Sequence, residues 1–317
     1  MINADKPGRW KSDVADSVRT YNSWFLSAAP QAYRAARAQT ARQVRAAFHA
    51  THNLASVTPD RLVARPAILP ALRMSTAPPI ARDRLAGLAD VPKSLVMSME
   101  NGKIPPRMAR PTLEGHLQRI CNIITDLLDL DLFPWLASGS SANKRALDIA
   151  ETVVTDRLCG AVADPIIRNA QEQRQLEVIA EWLNDRGYRQ QPHPTSVPLQ
   201  SMEPGTYSFR VNVVVKGGGD STVNMPLDVV IQPHHPEQNG FPLLIEAKSA
   251  GDFTNTNKRR KEEVTKMHQL RATYGKHVRL ILLLSGYFDS GYLGYVAAEG
   301  IDWVWEHRIQ DLADAGV

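Results

Sequence analysis

The hydrophobic pattern changes period at Gly187, and no other feature limits the fold of this chain as much. Before Gly187, apolar residues recur at helical spacing. Trp24, Phe25, Tyr33, Val44 and Phe48 give residues 10–50 one apolar side. After it come short runs rich in aromatic and β-branched residues: 207–216 (YSFRVNVVVK), 223–231 (VNMPLDVVI), 242–249 (PLLIEAKS) and 278–284 (VRLILLL), with a last strand around 303–305. Between the third and fourth runs, Val264, Met267, Leu270 and Tyr274 mark residues 256–274 as an amphipathic helix. The order helix–strand–strand–strand–helix–strand predicts an α/β (α+β) core with a mixed central sheet flanked by helices, behind a helical N-terminal region. The expected division is 1–160 for the helical region and 161–317 for the core, two domains being ordinary for 317 residues.

Proline punctuates the helical region. Pro59, Pro66, Pro70, Pro78 and Pro79 predict an irregular connector, and helical pattern returns over 80–100 and 111–133. Two further helices are expected at roughly 142–159 and 165–186. No apolar run is long enough to cross a membrane as a helix. The polar opening MINADKPGRWK has no signal-peptide core, and Cys121 and Cys159 are the only cysteines. A cytoplasmic protein without a disulfide framework is the expectation.

Charge is unevenly spread. Residues 1–115 carry 17 basic and 8 acidic residues, although the whole chain has a formal net charge of only +4. A basic first third beside a mildly acidic remainder fits either a polyanionic partner or a solvated arginine-rich helical surface.

The residues that carry chemistry are Asp228, Glu246 and Lys248. Side chains alternate along a strand, so Glu246 and Lys248 share one face while Ile245 and Ala247 take the other. Asp228 lies late in the preceding strand, where a strand–loop–strand connection can bring it beside Glu246. Two carboxylates offer hard oxygen ligands to Mg²⁺, and a lysine beside them can stabilise an attacking hydroxide and developing negative charge. That set suits metal-assisted phosphodiester hydrolysis. The competing reading, a salt bridge at a strand end, explains a bare E-x-K but not its setting between a P-x-D strand, a basic helix and an apolar strand.

Pro226-Leu227-Asp228 with Glu246-Ala247-Lys248 resembles the PD-(D/E)XK nuclease motif, and the element order matches that fold. The resemblance implies that Asp228 and Glu246 are metal ligands and Lys248 the catalytic lysine. It also implies a helix glutamate before the first strand as a further ligand, with Glu177 the candidate and Glu172 its competitor. Over longer stretches the chain is similar to XamI-type type II restriction endonucleases, in NADKPGRWKSDVADSVRTYNSWF, ARDRLAGLADVPKSLVMSMENGKIPPRM and DPIIRNAQEQRQLEVIAEWLNDRGY. This implies Mg²⁺-dependent cleavage of double-stranded DNA at a short palindrome, GTCGAC by the family prototype.

Candidate DNA contacts follow from charge and position. Lys258, Arg259, Arg260 and Lys261 open the helix after the E-x-K strand, and Asn255 and Asn257, in the loop just before, are candidate polar contacts. Residues 82–103 read as two short helices around an Ala89–Pro92 turn, similar to a helix–hairpin–helix DNA module without its usual glycines. There, Pro92 at a first helical position would present N–H groups to phosphate. Arg82, Arg84, Lys93 and Lys103 are its candidate contacts. His234-His235 lacks partners for a metal site, and Trp303 and Trp305 are expected in the core. A palindromic duplex favours a homodimer, with the apolar helices of 111–160 as the expected interface. A repair or junction nuclease of the same fold, and a non-catalytic DNA-binding protein, are the alternatives.

Overall fold

The computed structural model describes residues 1–217, 221–236, 240–254 and 256–317, with the side chains of 256–260 outside the description. The elements in chain order begin with α1 (Pro7–Ala50), α2 (Pro59–Ala64), α3 (Leu69–Met74), α4 (Arg82–Leu88) and α5 (Lys93–Glu100). Next come α6 (Arg110–Asp126), α7 (Pro134–Ser138) and α8 (Lys144–Asn184). The strands and last helices are β1 (Arg189–Gln190), β2 (Thr206–Lys216), β3 (Thr222–Gln232), β4 (Leu243–Ala250), α9 (Thr256–Tyr274), β5 (Leu280–Gly286), α10 (Ser290–Ala298) and β6 (Asp302–Trp305). No helix among the described residues is long and apolar enough to cross a membrane.

The chain forms two compact units, Met1–Ala29 with Arg168–Val317, and Pro30–Ile167. The sequence boundary at 160 therefore differs from the structural one, because the first 29 residues belong with the sheet. Ile2, Asn3 and Ala4 hold the Asp302 carboxylate through their backbone N–H groups. Trp10 packs edge-on against Trp303 with ring centroids 5.5 Å apart.

In the sheet unit the strand order is β1-β2-β3-β4-β5-β6. The β2–β3 and β3–β4 pairs are antiparallel and the others parallel, which makes the sheet mixed as expected. One face carries Tyr207, Val229, Ile231, Leu243, Ile245, Ile281 and Leu283 and packs on Leu176, Ile179 and Leu183 of α8. The other carries Leu244, Leu282, Leu284, Trp303 and Trp305 and packs on α9 and α10. Trp303 and Trp305 are fully buried, as expected.

The β2–β3 hairpin changes face midway. Tyr207, Val229 and Ile231 lie in the α8-side core, whereas Val211, Val213, Val215, Met225 and Leu227 lie in the α9-side core. Alternation alone would keep 207 and 211 on one side. The shift occurs at Arg210, which sits at φ 52°, opposite Asp228. The ladder runs Phe209↔Val229 and then Val211↔Leu227, leaving Arg210 and Asp228 out of the pairing.

The other unit is helical around one core that includes Phe48, Leu62, Leu72, Leu95, Leu117, Ile124, Phe133 and Val154. Two expectations change here. The proline-rich stretch is an irregular connector only over 75–81, which holds Pro78 and Pro79; Pro59 and Pro70 fall in the first turns of α2 and α3, where a missing N–H costs nothing. The expected gap between residues 159 and 165 is absent, and α8 runs through it, and through Pro165, as one helix of 41 residues.

Candidate active site

β3 and β4 are neighbours over only three pairs, Val229↔Ile245, Val230↔Leu244 and Ile231↔Leu243. Beyond that point β3 continues with β2, while Glu246 to Ala250 pair with β5. The two strands therefore fork at Asp228 and Glu246. The Asp228 side chain spans the fork, its Oδ2 accepting the Ala247 backbone N–H at 2.7 Å where a ladder carbonyl would otherwise stand.

Glu246 is buried, with 4% of its surface exposed. Its Oε1 accepts from Lys248 Nζ at 2.7 Å and from Lys266 Nζ at 2.6 Å. Its Oε2 is buried with no hydrogen-bond partner. Lys266, from α9, also donates to the Pro226 carbonyl at 3.0 Å. One turn earlier on α9, Glu263 is 1% exposed. Its Oε2 accepts from the Tyr292 hydroxyl at 3.4 Å, and its Oε1 lies 3.8 Å from Lys248 Nζ without a hydrogen bond.

Burial dominates the electrostatics. It pushes the Asp228 carboxyl up to about 6, with the neighbouring Glu246 carboxylate adding to the rise. Burial likewise pushes Glu263 up to about 7, although Lys248 opposes it. For Lys248 burial works against the ammonium, but Glu246, Glu263 and Asp228 outweigh it and hold its pKa above the ordinary lysine value. Three carboxylates and two ammoniums thus share a space too dry to ionise all of them comfortably.

Asp228, Glu246 and Lys248 come together as the sequence predicts. Glu177 does not join them: it is exposed on α8 and accepts from Gln173 at 3.2 Å. The residues that α8 turns to the sheet are instead Gln171, Gln175, Leu176 and Ile179, on the face opposite Glu246. Glu172 pairs with Arg210 at 3.2 Å. Glu263 and Lys266 were missed, since a charged residue on a helix reads as solvated. The available signal was spacing, for Glu263 lies four and seven residues before Met267 and Leu270, on their buried stripe.

The other candidates scatter. Lys261 is exposed, Asn255 lies outside the described residues, and so do the side chains of Asn257, Lys258, Arg259 and Arg260. α4 and α5 form the expected pair of short helices. Lys93 Nζ is 3.1 Å from Asp83 and Arg82 is 2.6 Å from Glu100, so these two cations close the hairpin on itself. Arg84 and Lys103 are exposed. Pro92 precedes the first helical residue, Lys93, instead of occupying that position. The His234 ring packs at a tilt against Tyr188, with centroids 4.2 Å apart, and faces the Arg186 carbonyl. Leu113, Leu117, Ile120 and Ile124 of α6 and Ala150, Val154 and Leu158 of α8 are buried in their own unit's core, so most of the apolar surface expected to form an interface is already covered.

The residues present fit a hard divalent cation. Two carboxylates meet at the mouth of a forked ladder, and the orphaned Glu246 Oε2 is an oxygen for which the protein supplies no donor.

Two carboxylates and a lysine thus meet where an α/β sheet forks, and comparison with known proteins gives the class. The chain belongs to the XamI restriction endonuclease family, whose sequence model matches residues 52–305. It is 61% identical over 316 residues to the type II restriction enzyme SalI of Streptomyces albus G, covering 100% of both chains. Among solved structures, protein VC1899 from Vibrio cholerae aligns over 90% of this chain at 12% identity and a TM-score of 0.29. This chain spans 55% of that one's length, and so slight a likeness carries no argument.

Proposed function

We propose that this restriction endonuclease hydrolyses double-stranded DNA at the palindrome GTCGAC, with Mg²⁺, in a PD-(D/E)XK-type site made of Asp228, Glu246 and Lys248. The observation that carries the reading is the fork, where a half-buried and a buried carboxylate stand beside a lysine whose pKa is raised. Full-length likeness to SalI supports the substrate and the site. When bound, Mg²⁺ would polarise the scissile phosphate and acidify a water. Asp228 and Glu246 would hold it through carboxylate oxygens. Lys248, kept cationic by its carboxylate neighbours, would orient the attacking water and balance charge growing on the phosphate oxygens.

The basic helical unit, with Arg84 and Lys103 exposed on it, and Lys258, Arg259, Arg260 and Lys261 on α9 would contact DNA phosphates. A two-fold palindrome would be served by a homodimer with one site per strand.

Digestion of an unmethylated plasmid carrying one GTCGAC tests this. With Mg²⁺ the expected product is a single linear species whose ends map to that sequence. EDTA, or Glu246→Ala, should abolish it while DNA binding persists. Full cleavage by Glu246→Ala would remove the assigned site, and ends mapping elsewhere would remove the assigned sequence.

A further inference from the structure

We infer that Lys266 holds the place of the metal in the resting enzyme: its ammonium is a resident counter-ion on Glu246 that Mg²⁺ must displace. This rests on the metal site proposed above and concerns a residue outside the motif.

Two ammoniums share one oxygen, Glu246 Oε1, at 2.6 Å and 2.7 Å. A buried carboxylate needs compensation, but two cations on one oxygen is more than a catalytic lysine alone would provide. The two differ in what else they touch. Lys248 lies 3.8 Å from a second carboxylate, Glu263, and stays paired if Glu246 is taken away. Lys266's second hydrogen bond goes to the neutral carbonyl of Pro226, so its ionic partner here is Glu246. Lys266 is therefore the cation that can leave.

Charge balance points the same way. With Asp228, Glu246 and Glu263 ionised, Lys248 and Lys266 leave the site short of one positive charge. A divalent cation replacing Lys266 brings it to neutrality. Lys266 thus keeps the carboxylates compensated in a metal-free fold and sets a threshold that the metal must overcome. Glu263 is the matching positioning residue, since it keeps Lys248 in place when Glu246 turns to the metal.

The test is metal affinity in the absence of DNA, so that cleavage does not enter. Mn²⁺, used as the reporting ion, is titrated into the full-length protein and free ion is followed by electron paramagnetic resonance. Lys266→Met, which keeps the stem and removes the charge, should bind about tenfold more tightly than wild type. Lys261→Met is the control for loss of one positive charge on the same helix. Lys266→Gln reads the same shift if Lys266→Met does not fold. Affinity unchanged beyond the Lys261→Met effect, or weakened, overturns the inference. Asp228→Asn separates the two levels: if it binds Mn²⁺ as well as wild type, the metal site itself is wrong, whatever Lys266 does. A second readout is metal-free thermal stability, which should fall in Lys266→Met and be recovered on adding Mn²⁺. A fall that Mn²⁺ does not recover also overturns the inference.

Discussion

Asp228 is kept where an ionised carboxylate is uncomfortable, and the protein is less stable for it. Its folded pKa, about 6, exceeds the ordinary value of 3.8, so folding favours the protonated form. Metal-free stability from this residue is therefore fully present below pH 4 and is lost as pH rises through 6. Asp228→Asn mimics the protonated state. It should abolish cleavage and stabilise the metal-free protein at pH 7–8 by on the order of 1–3 kcal/mol, with the gain fading as pH falls toward 4. Thermal denaturation in EDTA across that range checks both halves. A variant less stable than wild type at pH 8 would refute the argument.

At the level of elements, α8 does for the site what no charged residue on it does. Gln175 Nε2 donates to the carbonyls of Lys248 and Leu283, at 3.4 Å and 3.2 Å, and so ties the ends of β4 and β5 together from behind. Gln175→Ala removes both bonds and should cost about 1–2 kcal/mol in urea denaturation. Single-turnover cleavage should slow in the same variant while DNA affinity stays. The contrast with Glu177 shows how far the sequence could be read. Glu246 and Lys248 were legible because strand alternation is rigid and their neighbours Leu243 and Ile245 are apolar. The strands themselves were legible for the same reason, and β1 escaped notice only because it is two residues long. Choosing among helix carboxylates needs the rotation of the helix about its axis. α8 mixes the polar Gln171 and Gln175 into its buried face and gives no clean stripe, so its pattern does not separate the exposed Glu177 from the buried Gln175. Glu263 hid behind the opposite assumption, that a carboxylate beside four cations belongs to water.

For the whole molecule, charge and topology were only partly visible in the chain. The basic excess of residues 1–115 includes Arg73, which is 8% exposed and lies 2.6 Å from Glu100, so some of that charge serves the fold. The helices expected to form a dimer face are occupied by their own core. The proposed homodimer therefore rests on the proposed site's symmetry, and sedimentation equilibrium should find twice the 35.1 kDa chain mass without DNA. A monomer that stays monomeric on a cognate duplex would require sequential nicking of the two strands, visible as an accumulating open-circular plasmid.

The face change in the β2–β3 hairpin behaves like a compensated frameshift. Arg210 and Asp228 each add one residue to a strand, and each strand reads in a new frame afterwards. Deleting Arg210 alone leaves Asp228 as an extra residue with nothing opposite it and should destabilise the hairpin, because β2 then reads in plain alternation while β3 still changes frame. Deleting Arg210 and Asp228 together restores plain alternation from one end of the hairpin to the other. That double deletion should remain folded by circular dichroism and be catalytically dead. The irregularity would then be something the sheet could discard and the enzyme could not.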